Sequence, residues 1–192
     1  SEVRMNGSGK PAEAELVRRA RLKDTAAVRA IYDSYAQYLF AVCRRYTGDS
    51  ESAADVLQDS FVKIFTSLDR FEWRGEGSLK SWMRRIAVNE ALMYLRSRKR
   101  DEGFVSSVRP PENVPDEEPE VDDIPMPELQ RMIAELPEGY RTVFNLYVFE
   151  NMSHKEIAAA LGISENTSYS QFSRAKTLLA KKIKEYRANG QQ

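Results

Sequence analysis

A single cysteine, Cys43, and a single histidine, His154, stand in a chain of 192 residues. One cysteine excludes an internal disulfide. One histidine leaves no Cys/His zinc cluster, and no Cys-His or Ser-His nucleophilic machinery unless His154 alone supplies the imidazole. Long apolar runs are missing as well. No stretch approaches the ~20 apolar residues of a membrane-spanning helix, and the first residues lack the basic-then-apolar layout of a signal peptide. The expected compartment is therefore the cytoplasm, with no direct membrane insertion. Net charge is absent only in the total, where 29 basic and 29 acidic side chains cancel. Residues 1–100 hold 19 basic against 13 acidic side chains, residues 101–127 hold nine acids with Arg109 as the only base, and the remainder holds nine basic against seven acidic. Blocks of opposite sign reach different surfaces, so this segregation speaks about partners.

The acidic block runs from Asp101 to Pro127, contains six of the eight prolines and shows no helical or alternating period. Proline stiffness and self-repulsion predict an extended linker between two separate domains. With 42% hydrophobic residues, the flanks have enough apolar material for two small cores. The expected organisation is a tail over 1–10, with Met5 as a candidate original start, a domain over 11–100, the linker over 101–127, a second domain over 128–188 and a tail over 189–192. Before the linker nothing alternates like a strand. A short helix containing Leu16 and Val17 is expected first. Val28, Ile31, Tyr32, Tyr35, Leu39, Val42 and Tyr46 then stripe one face of a helix capped by Asp24 and ended by Gly48. Ala54, Leu57, Phe61, Ile64, Phe65 and Leu68 predict the buried stripe of a helix from Ser50, and Leu79, Trp82, Met83, Ile86 and Met93 that of a third with Ser78 as its cap. Beyond the linker, Pro127 opens a helix with Leu129, Met132, Ile133 and Leu136 inward, and the next is expected to bury Tyr140, Val143, Phe144, Tyr147 and Val148. The fold class is all-α, in two small helical domains.

The most informative stretch is "SHKEIAAALGISENTSYSQFSRAK", Ser153 to Lys176. Ser153 and Glu156 have capping-box spacing, Gly162 suits a tight turn with positive φ, and Ser164 caps a second helix. Ile157, Leu161, Ile163, Phe172 and Ala175 converge as a small core. This is the helix-turn-helix layout, whose second helix enters the major groove. Projection at 100° per residue places Tyr169, Ser170, Ser173 and Arg174 on the outward face, with Lys176, Lys181, Lys182 and Lys184 following as phosphate-directed charge. A helical hairpin with a solvated basic face is the plainer alternative.

From Lys80 to Arg100 seven basic residues stand against Glu90 alone, and Arg85, Asn89, Arg96 and Arg100 share one stripe. Asparagine is a mediocre helix-interior residue, and amide plus guanidinium is the chemistry of base edge plus phosphate. Phe71 and Trp73, in the glycine-containing loop before this helix, offer flat platforms for unpaired bases. The alternative is a solvated cationic face with the two aromatics closing the core. In the helix from Ser50, Asp55, Gln58, Asp59 and Val62 form a separate polar stripe with a hydrophobic edge, which is either ordinary surface or a docking patch for an arginine-rich helix.

The segments "AADVLQDSFVKIF", "SLKSWMRRIAVNEALMYLRSRKR" and "LPEGYRTVFNLYVFENMSHKEIAAALGISENTSYSQFSRAK", with the spacer between them, resemble the extracytoplasmic-function group of RNA polymerase sigma factors in the sigma-70 family, from about Leu16 to Tyr186. The resemblance implies a non-catalytic polymerase subunit that directs promoter recognition and melting in transcription initiation. It likens residues 11–100 to sigma region 2 and 128–188 to region 4. It implies contact of Asp55, Gln58, Asp59 and Val62 with the polymerase β′ clamp helices, and of region 4 with the β flap. Asn89 falls at the position that captures a flipped −10 base, with Arg85 nearby, Arg96 and Arg100 along the same stripe, and the Phe71–Ser81 loop shaping the pocket. Thr167, Tyr169, Ser170, Ser173, Arg174 and Lys176 correspond to the −35 reader. The linker is likened to the segment threading toward the RNA exit channel, and an anti-sigma factor is an implied partner. Three positions depart from the pattern: Tyr169 where a basic residue is frequent, Phe172 where leucine is frequent, and Asn151 where glycine is frequent.

No cofactor, metal or small-molecule substrate is expected. Two rival readings are an ordinary helix-turn-helix regulator whose N-terminal domain senses a ligand or dimerises, which leaves the Arg85, Asn89, Arg96 stripe unexplained, and a helical adaptor or anti-sigma-binding decoy that touches no DNA. An enzyme is disfavoured because no histidine or metal cluster organises the serines and carboxylates.

Overall fold

The computed structural model describes residues 12–101 and 120–190 and divides into two compact units, the first ending at Arg98. Eight α-helices and no strand are present among the described residues. The first unit holds α1 (Glu13–Arg21), α2 (Thr25–Thr47), α3 (Ser50–Ser67), a 3₁₀ turn (Leu68–Arg70) and α4 (Ser78–Asp101). The second holds α5 (Met126–Ala134), α6 (Glu138–Val148), α7 (His154–Leu161) and α8 (Glu165–Asn189). No helix is long and apolar enough to cross a membrane among the described residues.

Local chemistry sets the helix ends. Asp24 accepts from the Ala26 and Ala27 amides at 3.0 and 3.3 Å, and Gly48 closes α2 at φ 82°, where a Cβ would be strained. Asp49 starts α3 by accepting from Ser52 N at 2.7 Å. Ser78 does not cap α4 as expected. It is the first helical residue, and its hydroxyl donates to the Gly75 carbonyl at 2.6 Å while accepting from Arg74 N at 3.1 Å, which folds the loop ahead of the helix. Ile31, Leu39, Tyr46, Ile64, Leu79 and Met83 are fully buried and form the heart of the first core. Cys43 lies in the same interior, where burial pushes its thiol up to about 11, leaving an unreactive core group.

Three packing expectations are corrected here. In α3 the buried stripe is Ala53, Val56, Ser60, Phe61 and Ile64, continued by Leu68 of the 3₁₀ turn, whereas Ala54 is exposed and Leu57 and Phe65 are half-buried. Met93 of α4, expected in the core, is 57% exposed, because the inward face of that helix is already filled by Ala87, Ala91 and Leu95. Tyr147 and Val148 of α6 are exposed rather than buried, since Tyr140, Val143 and Leu146 supply its inward face.

The acidic segment also ends differently from the expectation. α4 continues to Asp101, and residues 120–125 belong with the second unit. Ile124 is buried in a core cluster with Met132, Leu136, Tyr140, Leu179 and Ile183. Arg187 of α8 donates from Nε to Asp123 Oδ2 at 2.9 Å and from Nη2 to the Glu120 carbonyl at 2.6 Å. An apolar anchor and a cationic partner thus bind the end of an otherwise polar segment to the domain. The expected linker residues 102–119 and tail residues 1–10, 191 and 192 lie outside the described residues.

Candidate nucleic-acid interface

In the first unit, α4 presents Arg85, Asn89 and Arg96 on an exposed face. Met93 lies on the same stripe, four residues past Asn89 and three before Arg96, so a soft apolar side chain sits among the polar ones. That residue was missed from sequence because a methionine at helical spacing reads as core. The Arg100 side chain lies outside the described residues. Towards its start α4 is anchored to α2: Arg84 Nη1 donates to Tyr38 Oη at 2.8 Å, and Lys80 Nζ lies 4.2 Å from the Tyr38 ring centroid.

The loop before α4 separates the two aromatics that the sequence had paired. Phe71 is 6% exposed, with its ring 4.9 Å from that of Trp82, and Arg21 of α1 holds its carbonyl as well as that of Leu68. A base cannot reach its face, so Phe71 is a core residue and not a stacking platform. Trp73 is exposed, and its indole nitrogen donates to Glu13 Oε1 at 3.4 Å. Its ring is available where that of Phe71 is not.

On α3, Asp55, Gln58, Asp59 and Val62 are all exposed and consecutive on one stripe. Gln58 and Val62 of this stripe, with Tyr32, Ala54, Leu57, Phe61, Phe65 and Thr66, line a largely apolar surface groove of about 660 Å³. The apolar residues of α3 that the core leaves unused are thus gathered beside its carboxylates.

The second unit contains the helix-turn-helix. Ser153 N donates to Glu156 Oε2 at 2.8 Å and Glu156 N to Ser153 Oγ at 3.2 Å, a complete capping box whose hydrogen bonds hold the Glu156 carboxyl below its ordinary range. Gly162 turns at φ 66°, and Asn151, the departure noted above, adopts φ 55°. Ser164 Oγ accepts from Thr167 N at 3.0 Å and opens α8. Ile157 and Ala175 are buried between the helices.

Of the residues expected on the duplex-facing side, Tyr169, Ser170 and Ser173 are exposed. Thr167 is half-buried, with its hydroxyl 2.8 Å from Ser164 Oγ, and Lys176 is half-buried, with its ammonium 5.1 Å from the Phe172 ring centroid. Arg174 contradicts the expectation. It is 8% exposed, and its guanidinium lies 5.9 Å from the ring centroid of Tyr140 in α6. The projection takes a single buried arc, but α8 packs against both α6 and α7, and Arg174 falls within the wider arc that these contacts bury. Arg174→Ala is accordingly expected to lower the stability of this unit by about 1–2 kcal/mol through the lost cation–π contact and stem packing. Duplex affinity of the folded protein should stay within about twofold. A urea midpoint measured beside a duplex titration checks both halves.

The remaining feature is the surroundings of His154. Its ring lies between those of Tyr147, 4.7 Å away, and Tyr169, 3.9 Å away, and its Nδ1 is 2.8 Å from Ser168 Oγ. Burial lowers its basicity below the ordinary histidine range, against an opposing pull from the Glu165 carboxylate. No sequence pattern foretold this stack, because His154 and Tyr169 lie on different helices.

Comparison with known proteins follows these units. Residues 31–101 match the family model for Sigma-70 region 2, and residues 127–179 match that for Sigma-70, region 4. The chain is 29% identical to the RNA polymerase sigma-H factor of Pseudomonas aeruginosa over 188 residues, covering 88% of this chain and 92% of that one. It is 26% identical to the ECF RNA polymerase sigma factor SigW of Bacillus subtilis, covering 88% of this chain and 95% of the other. Among solved structures it is similar to the sigma factor RpoE of Bartonella quintana, crystallised with the anti-sigma factor NepR, with a TM-score of 0.47 and 22% identity over 81% of this chain and 96% of that one.

Proposed function

This chain belongs to the sigma-70 family of RNA polymerase subunits, in its extracytoplasmic-function group, and from that premise we propose how its surfaces divide the work. It is an alternative sigma factor, which binds core RNA polymerase and directs promoter recognition and melting to initiate transcription. Phosphodiester chemistry belongs to the polymerase, and the chain acts as a non-catalytic subunit in the cytoplasm.

The exposed Asp55, Gln58, Asp59 and Val62 stripe docks on the β′ clamp helices. Its carboxylates pair with arginines, and the neighbouring apolar groove supplies buried area. Asn89 hydrogen-bonds the edge of an unpaired −10 base while Arg85 and Arg96 hold phosphates and Trp73 offers a stacking surface. Unstacking a base costs a few kcal/mol, and stacking on an aromatic ring returns roughly 1–3 kcal/mol per base. In the second unit the exposed turns of α8 read the −35 duplex through Tyr169, Ser170 and Ser173, with the exposed Lys181 and Lys184 beyond them at phosphates while Lys182 pairs with Glu135, and this unit rests on the β flap. An anti-sigma factor that covers these faces keeps the subunit silent. The acidic segment between the units enters the RNA exit channel.

The observation that carries this reading is the exposed asparagine in mid-helix, bracketed by Arg85 and Arg96 on a unit separate from the helix-turn-helix. A regulator with a ligand-sensing or dimerising N-terminal domain has no use for it. Gel filtration with core RNA polymerase tests the docking assignment. The chain is expected to co-elute at one copy per core enzyme, and Asp59→Lys to weaken that association by about tenfold through a like-charge clash, without loss of folding at so exposed a position. A chain that elutes alone, or an Asp59→Lys variant that co-elutes as the parent does, refutes the assignment.

A further inference from the structure

We infer that Tyr169 reads the C5-methyl group of one thymine in the −35 duplex and that His154 positions it for that contact, an inference that rests on the assignment of α8 to duplex DNA. His154 is the first residue of α7 and is only 8% exposed. Its ring is fixed on three sides. Tyr147 packs on it with 20° between the ring planes, Phe172 meets it edge-on at 5.7 Å, and the 2.8 Å hydrogen bond between Nδ1 and Ser168 Oγ sets its rotation. Ser168 is itself completely buried, so water does not compete for the hydroxyl that holds the imidazole.

Tyr169 rests on this fixed ring at a centroid distance of 3.9 Å, yet it remains 59% exposed. Most of its surface therefore serves no intramolecular packing. It stands five residues after the Ser164 cap, in the N-terminal turns that a helix-turn-helix presents to base edges, beside the exposed Ser170. The chemistry left to it is narrow. A phenol can give a phosphate or a base edge only one neutral hydrogen bond and cannot make the bidentate contact that reads guanine O6/N7, and a ring resting on an imidazole is not free to slide between base pairs. An apolar edge in the major groove has one natural counterpart, the methyl group of thymine. Burial lowers the basicity of His154 and so favours the uncharged imidazole, and the ring, packed between aromatic neighbours, serves as a flat support.

The test uses holoenzyme reconstituted from the full chain and core polymerase, with promoter duplex selected from a pool randomised over the −35 region. Each thymine of the selected −35 block is replaced singly by deoxyuridine, which removes the methyl group alone. With the parent protein, one replacement is expected to weaken binding by about fourfold, the value of one buried methyl group. Tyr169→Phe keeps that discrimination, and Tyr169→Ala abolishes it. His154→Ala reduces it below twofold, and His154→Phe, which refills the slot with a flat ring, restores it even if either variant alters stability. Insensitivity of every thymine to methyl loss overturns the inference, as does full discrimination in folded His154→Ala. Selection that returns no −35 block removes the assignment of α8 to duplex DNA and this inference together, so the two failures are distinct.

Discussion

Asn89→Ala is expected to slow open-complex formation by about 5- to 150-fold, corresponding to the roughly 1–3 kcal/mol of a good bidentate base contact, while −35 duplex binding changes less than twofold. The structure allows this result to be read without a stability confound. Asn89 is exposed in the interior of α4, and alanine is a better helix former than asparagine by a few tenths of a kcal/mol, so the variant should fold at least as well as the parent. A solvated cationic face without a base-capturing role would show no such deficit. Stopped-flow fluorescence of a base analogue placed in the −10 element reads the melting rate, and a duplex titration reads the control. Met93 gives an internal comparison: its exposed side chain shares the stripe but supplies no base-edge hydrogen bond, so its truncation should affect melting less than that of Asn89.

Leu146→Ala is expected to cost about 2–5 kcal/mol and to unfold most or all of the second unit at 37 °C. Leu146 is completely buried in α6, the helix that packs along α8. Small domains bury a modest fraction of their surface and have only a few kcal/mol to lose. Amide hydrogen exchange should show protection lost across α5 to α8 and retained in α1 to α4. In the holoenzyme this variant should lose −35 duplex affinity and keep affinity for a forked −10 probe. Loss of protection in both units at once would contradict their independence.

How far the molecule could be read from its sequence depended on whether a signal was local. Caps, turn glycines and the capping box act within a few residues of themselves. Asp24, Gly48, Ser153 with Glu156, Gly162 and Ser164 are therefore found in their expected roles, whereas Ser78 lies one residue inside α4 and folds the preceding loop instead. Periodicity was weaker evidence, because it counts apolar residues without saying what they face. In α3 the apolar set is wider than the core requires, and the surplus, Ala54, Leu57 and Phe65, lines an open groove. In α4 the same ambiguity placed Met93 inside. Arg174 was misassigned because a helical projection shows angles and not neighbours, and α8 packs against both α6 and α7. Phe71 and Trp73 look alike in a loop sequence. Only the hold of Arg21 on the Phe71 carbonyl, and the Trp82 ring against Phe71, separate a core residue from an exposed one. Ile124 was hidden by the acidic composition around it. The His154–Tyr169 stack depends on two helices meeting, which no pattern within either helix records.

The claim on which these assignments converge is that one chain grips promoter DNA at two places in two states, unpaired through α4 and paired through α8. Run-off transcription by core polymerase and this chain on a library randomised across both regions measures it most directly. Sequencing the templates that yield transcripts should return two enriched blocks at a fixed spacing, with Asn89→Ala erasing preference in the downstream block alone and Tyr169→Ala altering the upstream block alone. A single enriched block, or substitutions that weaken both blocks equally, would contradict the account.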